Sequence, residues 1–454
     1  MVSISNLRKS YSGIGFKVLL VGVLTLLSLV PLQMVDLLVA ERGERRYQVK
    51  QDIAQRWGGS QTLGTPLLVI PYTAERKPKT KDQLPIEVTR HLVVAPNTAQ
   101  IDAALSADKR RRGIYEVPVF QASVATKSTF DVPARDAFPE DAKTVLWRRA
   151  IVALGLSDPR GLKTIEMLAD GKSVGVEPGL GLTDAPGAGI HAALPLAGGP
   201  ASITMDVALR VDGTSHFYFV PAAKVTKAKV SSNWANPSFG GHFLPSAHDI
   251  TEDGFTADWD VPHIATGLPQ RWPGIHKAWP QIQHTQSGVA LFDPVDIYLK
   301  VDRAIKYGLL FTGLTFLTFL LFEAKTRLRM HPVQYLLVGG ALILFFLALL
   351  SISEHLGFGL AYVLAATIVV GLVCLYVRTI LARPHHVVIV GAIMAALYAV
   401  LYSLLQAGDF ALLNGTIALF FALAVTMYVT RDTNWYPTPP DGTSLEPSDR
   451  PAAA

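Results

Sequence analysis

Cysteine is almost absent: Cys374 is the only one in 454 residues. It lies inside an apolar run, so the chain has neither a disulfide framework nor a thiolate metal cluster, whatever the redox state of its compartment. Charge is scarce too. Asp, Glu, Lys and Arg make up 17% of the sequence, where a water-soluble domain carries about 25%. With 50% of the residues hydrophobic, part of the chain must lie in something other than water. The net charge of +5 does not point to nucleic acid, because the basic residues are scattered or gathered at the ends of apolar runs, where they read as membrane flanks.

Catalytic signatures are scarce as well. HExxH does not occur, and GxSxG occurs once, as Gly171-Lys172-Ser173-Val174-Gly175. Asp170-Gly171-Lys172-Ser173 resembles the end of a phosphate loop, but Glu166 stands where the first glycine is required. Gly179-Leu180-Gly181 is followed by Asp184 in place of a third glycine and reads as a loop. The histidines of the central region, His91, His191, His216, His242, His248, His263, His276 and His284, lack metal-ligand spacing. The expectation is a protein with no enzymatic site, no cofactor and no bound metal.

What is present begins with an apolar run over 16–39, broken chiefly by Lys17, Pro31 and Asp36. It exceeds the roughly 7–15-residue core of a cleavable signal, has no small-x-small site, and reads as an uncleaved anchor. Beyond it, Tyr47, Ile53, Ala54 and Trp57 recur at helical spacing, and Gly58-Gly59 would end that stalk helix. From Gln61 to Lys300 the texture is β. The runs Leu67–Tyr72, His91–Ala95, Tyr115–Ala125, Ile203–Val211, Phe217–Pro221 and Lys224–Ser231 alternate with turn residues. Asp212-Gly213 reads as a hairpin turn, and Ala142–Leu154 as one helix. Five further runs, 307–322, 335–352, 360–377, 387–405 and 411–429, approach the length of a membrane span. The tail from Pro437 to Ala454 is rich in Pro, Ser and Ala and is expected to be disordered.

The fold class is therefore a membrane α-helical bundle of six transmembrane helices plus a large β-rich, β-sandwich-like extracytoplasmic domain. Its segments are a cytoplasmic N-terminus (1–15), the first span (16–39), a periplasmic domain with its stalk (40–303), a five-helix membrane region (304–429) and a cytoplasmic tail (430–454). Orientation follows from the short loops. Lys325, Arg327 and Arg329 flank one, Arg378 and Arg383 the next but one, and Arg431 follows the last run, while 353–359 and 406–410 contain no Lys or Arg. Basic loops and both termini thus lie inside. Arg42, Arg45, Arg46 and Lys50 after the first span oppose this assignment, but large domains translocate largely regardless of charge.

Within the membrane part, Glu354-His355 ends an apolar helix. Such a pair is either a polar cap at headgroup level or a proton relay. Asp36, near the same depth on the first span, is the third candidate functional residue. Asn414 reads as a helix–helix hydrogen bond, and Gly313, Gly339 and Gly340 as close-packing positions.

Several stretches carry a resemblance. They are Glu41-Arg42, Trp57-Gly58 with Gln61, Pro66–Pro71, Leu156–Gly161, Ser232–Gly241, Phe243–Pro245, Gly254–Trp259, Pro269–Trp272, Asp293–Tyr298, Lys306–Phe311, His331–Gly339, Ser353-Glu354-His355 and Thr430–Tyr436. Across essentially the whole folded chain, this order resembles the CreD family of bacterial inner-membrane proteins, also described as cell-envelope integrity proteins. Thr65, Ser287 and Ala265-Thr266 depart from the family's usual residues. The resemblance implies a target of a carbon-source and envelope-stress two-component system, with links to envelope integrity, colicin tolerance and β-lactam response. It implies no particular reaction.

Three functional readings follow. The first is a non-catalytic envelope protein whose partners are the lipid bilayer and envelope proteins or cell-wall components. The second is a proton-coupled transporter using Asp36, Glu354 and His355. The third is a membrane enzyme with a site at the domain–membrane junction.

Overall fold

The computed structural model of the protein describes residues 14–76, 86–182, 185, 187–292, 297–326, 330–380, 384–407 and 410–431. Asp184, Arg327, Arg329, Arg383, the Asp293–Asp296 part of the resemblance, residues 1–13 of the N-terminus and the expected disordered tail lie outside them. The chain forms two compact units, Arg45–Pro294 and the flanking segments Met1–Glu44 with Val295–Ala454.

The unit Arg45–Pro294 is built from three sheets of eight, seven and four strands. Across the eight-stranded sheet the order is Ala247–Thr251, Gly254–Pro262, Val225–Ser232, Thr98–Arg112, Tyr115–Val132, Ala201–Thr214, Leu162–Ala169 and Lys172–Ser173. Alternation decides which face is buried. Along Thr98–Ala107 every second side chain, from Ala99 to Ala107, is buried, as a strand period of two dictates. Ile101, Ala103, Leu105 and Ala107 join Leu68, Ile70, Val152 and Leu154 of the seven-stranded sheet and Phe217, Phe219 and Val289 of the smallest one in a single core. That arrangement is sandwich-like, as the sequence suggested.

The seven-stranded sheet is covered on its other face too. There Leu67, Val69, Val93 and Ala153 pack with Trp272, Ala278 and Ile282, the last two from the helix Ile275–Gln283. Burial on both faces explains why Leu67–Ile70 is uninterruptedly apolar. Thr65 and Ser287 are each held by a hydrogen bond. The Thr65 hydroxyl donates to the Val220 carbonyl, and Ser287 Oγ accepts from Phe243 N–H at 2.9 Å.

Two sequence expectations for this unit fail. Ala142–Leu154 is not a helix: it forms the strands Ala142–Val145 and Ile151–Gly155, separated by a single 3-10 turn. Its apolar residues are recruited by strand pairing with Leu67–Arg76. Asp212-Gly213 is not a hairpin turn either. Both residues lie within Ala201–Thr214, paired to Gln121 and Phe120, and past Ser215, with φ of 70°, the chain enters the strand His216–Phe219 of the four-stranded sheet. Asp170-Gly171, by contrast, is the left-handed turn (φ 47° and 76°) of a short hairpin, which disposes of the phosphate-loop likeness.

α1 (Ile14–Leu27) of the other unit and α2 (Leu29–Trp57), whose residues from Arg45 belong to the β-rich unit, are nearly continuous, interrupted at Ser28. Pro31 accounts for the interruption, because it has no N–H and crowds the preceding turn. The helix ends at Trp57, followed by Gly58 at a φ of 126°, as the stalk reading required. Numbering continues with α3 (His263–Thr266) and α4 (Ile275–Gln283) of the β-rich unit, then α5 (Ile297–Lys306) and α6 (Gly308–Thr326), bent by 46° at Tyr307. After these come α7 (Pro332–Leu356), α8 (Phe358–Arg378), α9 (Pro384–Gln406) and α10 (Ala411–Thr430). Among the described residues five helices are long and apolar enough to cross a membrane, and the bent α5–α6 pair makes a sixth if it counts as one span. The bend has a packing reason. A Cβ on Gly308 would lie 3.0 Å from Leu32 and 3.1 Å from Phe346, so the glycine lets three helices meet.

Gly339 has the same role, with Phe316 2.8 Å from where its Cβ would stand. Gly313 is looser, facing Thr25 at 3.4 Å, and Gly340 faces open space. Close packing is therefore the reason for Gly339 and not for Gly340. Among the described residues Asn414 makes no side-chain hydrogen bond, so the expected helix–helix bond is not formed.

Candidate functional site

The helix α7 carries a carboxylate cluster at each end, both assembled by the same helical elements. At its C-terminal end Glu354 is nearly buried, with 8% of its side chain exposed. Its Oε1 accepts a hydrogen bond from the Tyr298 hydroxyl at 3.1 Å and lies 3.9 Å from Arg42 Nε. Tyr298 comes from α5 and Arg42 from α2. One carboxylate thus touches both helices that connect to the β-rich segment of the chain, three residues before Arg45 and four after Pro294.

At the N-terminal end the roles of α6 and α7 exchange. Glu323 of α6, 5% exposed, pairs with Lys17 of α1. It also accepts from the Tyr335 hydroxyl of α7 at 3.2 Å and from the Met330 backbone N–H at 2.9 Å. Each end of α7 therefore holds a carboxylate, a tyrosine and a cation, drawn from α1–α2, α5–α6 and α7. In a low-dielectric setting such groups are costly unless mutually satisfied. Here they are satisfied, which fixes the axial register of three helices at two levels.

Of the sequence candidates only Glu354 enters this arrangement. No hydrogen bond or ion pair joins it to His355, which is exposed, or to the half-buried Asp36, among the described residues. Glu323, Lys17, Tyr298 and Tyr335 escaped sequence reasoning. Their signal was visible in part: Glu323 immediately follows an apolar run and Lys17 sits inside another, the intramembrane pairing that such residues demand.

The β-rich unit has two polar features. One is a clamp where the stalk ends. Asp158 accepts hydrogen bonds from the backbone N–H of Gly59 at 2.8 Å and of Arg160 at 3.1 Å, and from the Arg160 guanidinium at 2.8 Å. The Arg160 hydrogen bonds hold the Asp158 carboxyl below its usual range, aided by the Gly59 N–H and against its partial burial. Beneath it the fully buried Gln61 donates to the carbonyls of Asp158 and Asp212.

The second feature is a cross-strand row on the outer face of the eight-stranded sheet. Register places Thr164, Arg210, Ser123, Ala104, Ser231, Thr256 and Asp249 side by side. The row forms the floor of adjoining grooves of about 580 and 350 Å³. Arg210 and Asp249 have no ion-pair partner among the described residues. No group of three or more His, Cys, Asp or Glu with metal-binding geometry occurs among the described residues.

A β-rich unit inserted between a first apolar helix and a bundle of others defines a multi-pass membrane protein. The comparisons refine this. Residues 13–436 match the family described as Inner membrane protein CreD. The Inner membrane protein CreD of Escherichia coli (strain K12) is 33% identical over 422 residues, covering 90% of this chain and 91% of that protein. The chain belongs to the CreD family of inner membrane proteins.

Proposed function

We propose that the chain supports cell-envelope integrity under stress without catalysis, through contacts made by a β-rich domain held in the periplasm, with both termini cytoplasmic. The observation that carries this reading is the polar row from Arg210 to Asp249. It is an open surface about 24 Å long at ~4.8 Å per strand, with charges of opposite sign at its ends and hydroxyls between. Such a face suits polar envelope polymers or proteins. The clusters at Glu354 and Glu323 support it in another way, since they serve anchoring: each carboxylate is already satisfied by partners in the helices that flank the domain.

Reporter fusions test the orientation. Fusions at Gly181 and Gly357 read periplasmic, and those at Met330 and Pro384 cytoplasmic; an external Met330 would reverse the assignment and remove the domain from the periplasm. Complementation of an envelope-stress defect tests the surface. Arg210→Glu with Asp249→Lys should lose complementation at normal membrane levels, and full complementation would remove the row from the mechanism. Group transfer or hydrolysis of an envelope substrate by the purified protein would overturn the non-catalytic reading. A relay through Asp36, Glu354 and His355 has no comparable support, because no hydrogen bond links the three among the described residues.

A further inference from the structure

The membrane unit contains a crevice of about 610 Å³ between α6, α9 and α10. Its wall is apolar almost throughout: Leu310 and Leu404 lie at one end and Ala396 and Ala422 at its waist. The other end differs, since His385 and His386 line it. The two rings lie 4.1 Å apart and His386 packs edge-on against Phe322. Both belong to the first turn of α9, where backbone N–H groups lack intrahelical acceptors and the helix dipole is positive. Arg378 closes α8 and Arg431 follows α10 at this same end of the bundle. The crevice is thus an apolar slot with an anion-favouring mouth.

Its dimensions select the occupant. From His385 to Leu404 the slot follows 19 helical steps, about 28 Å at 1.5 Å per residue. That is nearly the full ~30 Å hydrocarbon core, whereas the chain of an ordinary phospholipid covers one leaflet, about 15 Å. The slot accommodates one hydrocarbon chain longer than a leaflet.

We propose that this crevice binds a polyprenyl phosphate, its single isoprenoid chain running between α6, α9 and α10 and its phosphate at His385 and His386. Phospholipids share the phosphate and hydrocarbon chemistry but not the span. The sequence alone could not reveal the slot, because its walls are the ordinary apolar residues of three membrane helices. The proposal is independent of the polar row in the β-rich unit, and neither fails with the other.

The test uses the full-length chain in phosphatidylcholine–phosphatidylglycerol nanodiscs and a long-chain polyprenyl monophosphate bearing a diazirine at its distal end. Photolabelling should map to α6, α9 and α10. Ala422→Trp fills the waist and should cut labelling about tenfold, the loss expected when a chain forfeits contacts worth about two methylenes. Leu423→Trp, on an exposed position of the same helix, should leave labelling unchanged and serves as the folding control. His385→Ala with His386→Ala should weaken labelling by the phosphate and not by the uncharged polyprenol. Equal labelling of wild type and Ala422→Trp would overturn the proposal. So would equal competition by phosphatidylglycerol, or cross-linking of the slot to α10 of a second copy.

Discussion

Replacing Glu354 gives a graded set of outcomes that the geometry fixes in advance. Glu354→Ala removes the acceptor of the Tyr298 hydroxyl, and Tyr298 is itself 8% exposed. Losing a hydrogen bond to a charged acceptor costs about 1.5–3 kcal/mol. Losing Arg42 adds little: its guanidinium is 3.9 Å away and 42% exposed, so the pair is worth about 0.2–1 kcal/mol. The alanine variant should therefore lose about 2–3 kcal/mol. Glu354→Gln keeps a carbonyl oxygen for Tyr298 and forfeits only the ion pair, a loss of about 0.5 kcal/mol. Thermal unfolding of the full-length chain in detergent, followed by helical circular dichroism, supplies the ranking of midpoints. A cycle with Tyr298→Phe isolates the contact, with an expected coupling of about 1 kcal/mol between positions 298 and 354. Strict additivity, or a glutamine as damaging as the alanine, would refute the anchoring argument. Complementation separates anchoring from relay: an anchor tolerates Glu354→Gln and His355→Asn, while a relay loses its phenotype with either.

Three other predictions follow from single contacts. Gly339→Ala should lower stability by about 1–3 kcal/mol, the usual cost of overpacking, because its Cβ meets Phe316, whereas Gly340→Ala should be neutral. Glu323→Ala should lower the unfolding midpoint more than Glu354→Ala, since it strips the acceptor from Lys17, Tyr335 and the Met330 N–H together. Asp158 gives a pH signature. Its folded-state pKa is depressed, chiefly by Arg160, so the unfolded chain binds more protons in acid and the contribution is complete above the ordinary carboxylate value near 4. It disappears as the pH falls through the depressed value. The unfolding midpoint of the wild type should therefore fall more steeply below about pH 4 than that of Asp158→Asn, and parallel profiles would contradict the clamp.

Much of the β-rich unit was legible because strand burial imprints a period of two or a short apolar run. Leu67–Tyr72 and Tyr115–Ala125 fall within strands, as does all of Lys224–Ser231 after Lys224. Ala142–Leu154 was misread because its apolar residues suit either period, and long-range pairing with Leu67–Arg76 decided between them. Asp212-Gly213 misled for a different reason. The dipeptide is a turn signal only where the chain must reverse, and here Gly213 is needed inside the strand, where its Cβ would meet Phe120 at 2.4 Å. Family resemblance reached further than periodicity, since the stretch Leu156–Gly161 proved to contain the Asp158 clamp without any pattern announcing it.

The membrane site was half legible because hydropathy locates helices but says nothing about which faces meet. Glu354 drew attention as an ionisable residue ending an apolar run. Its partners Tyr298 and Arg42 lie 56 and 312 positions away, and only the packing of α2, α5 and α7 brings them within reach. Glu323 was overlooked because it falls one residue beyond a run's boundary, where a charge usually meets the headgroups. The pairing with Lys17, on the other side of the β-rich segment in sequence, changes that reading. Lys17 interrupts its own apolar run, and Glu323 is buried. Neither charge is tolerable alone at such a place, so each requires the other, and α1 can reach α6 in only one register. The β-rich segment enters the chain between those two charges. The two clusters therefore set the positions of the helices to which it is attached, and a defect in either cluster should be felt by the helices on both sides of the insertion.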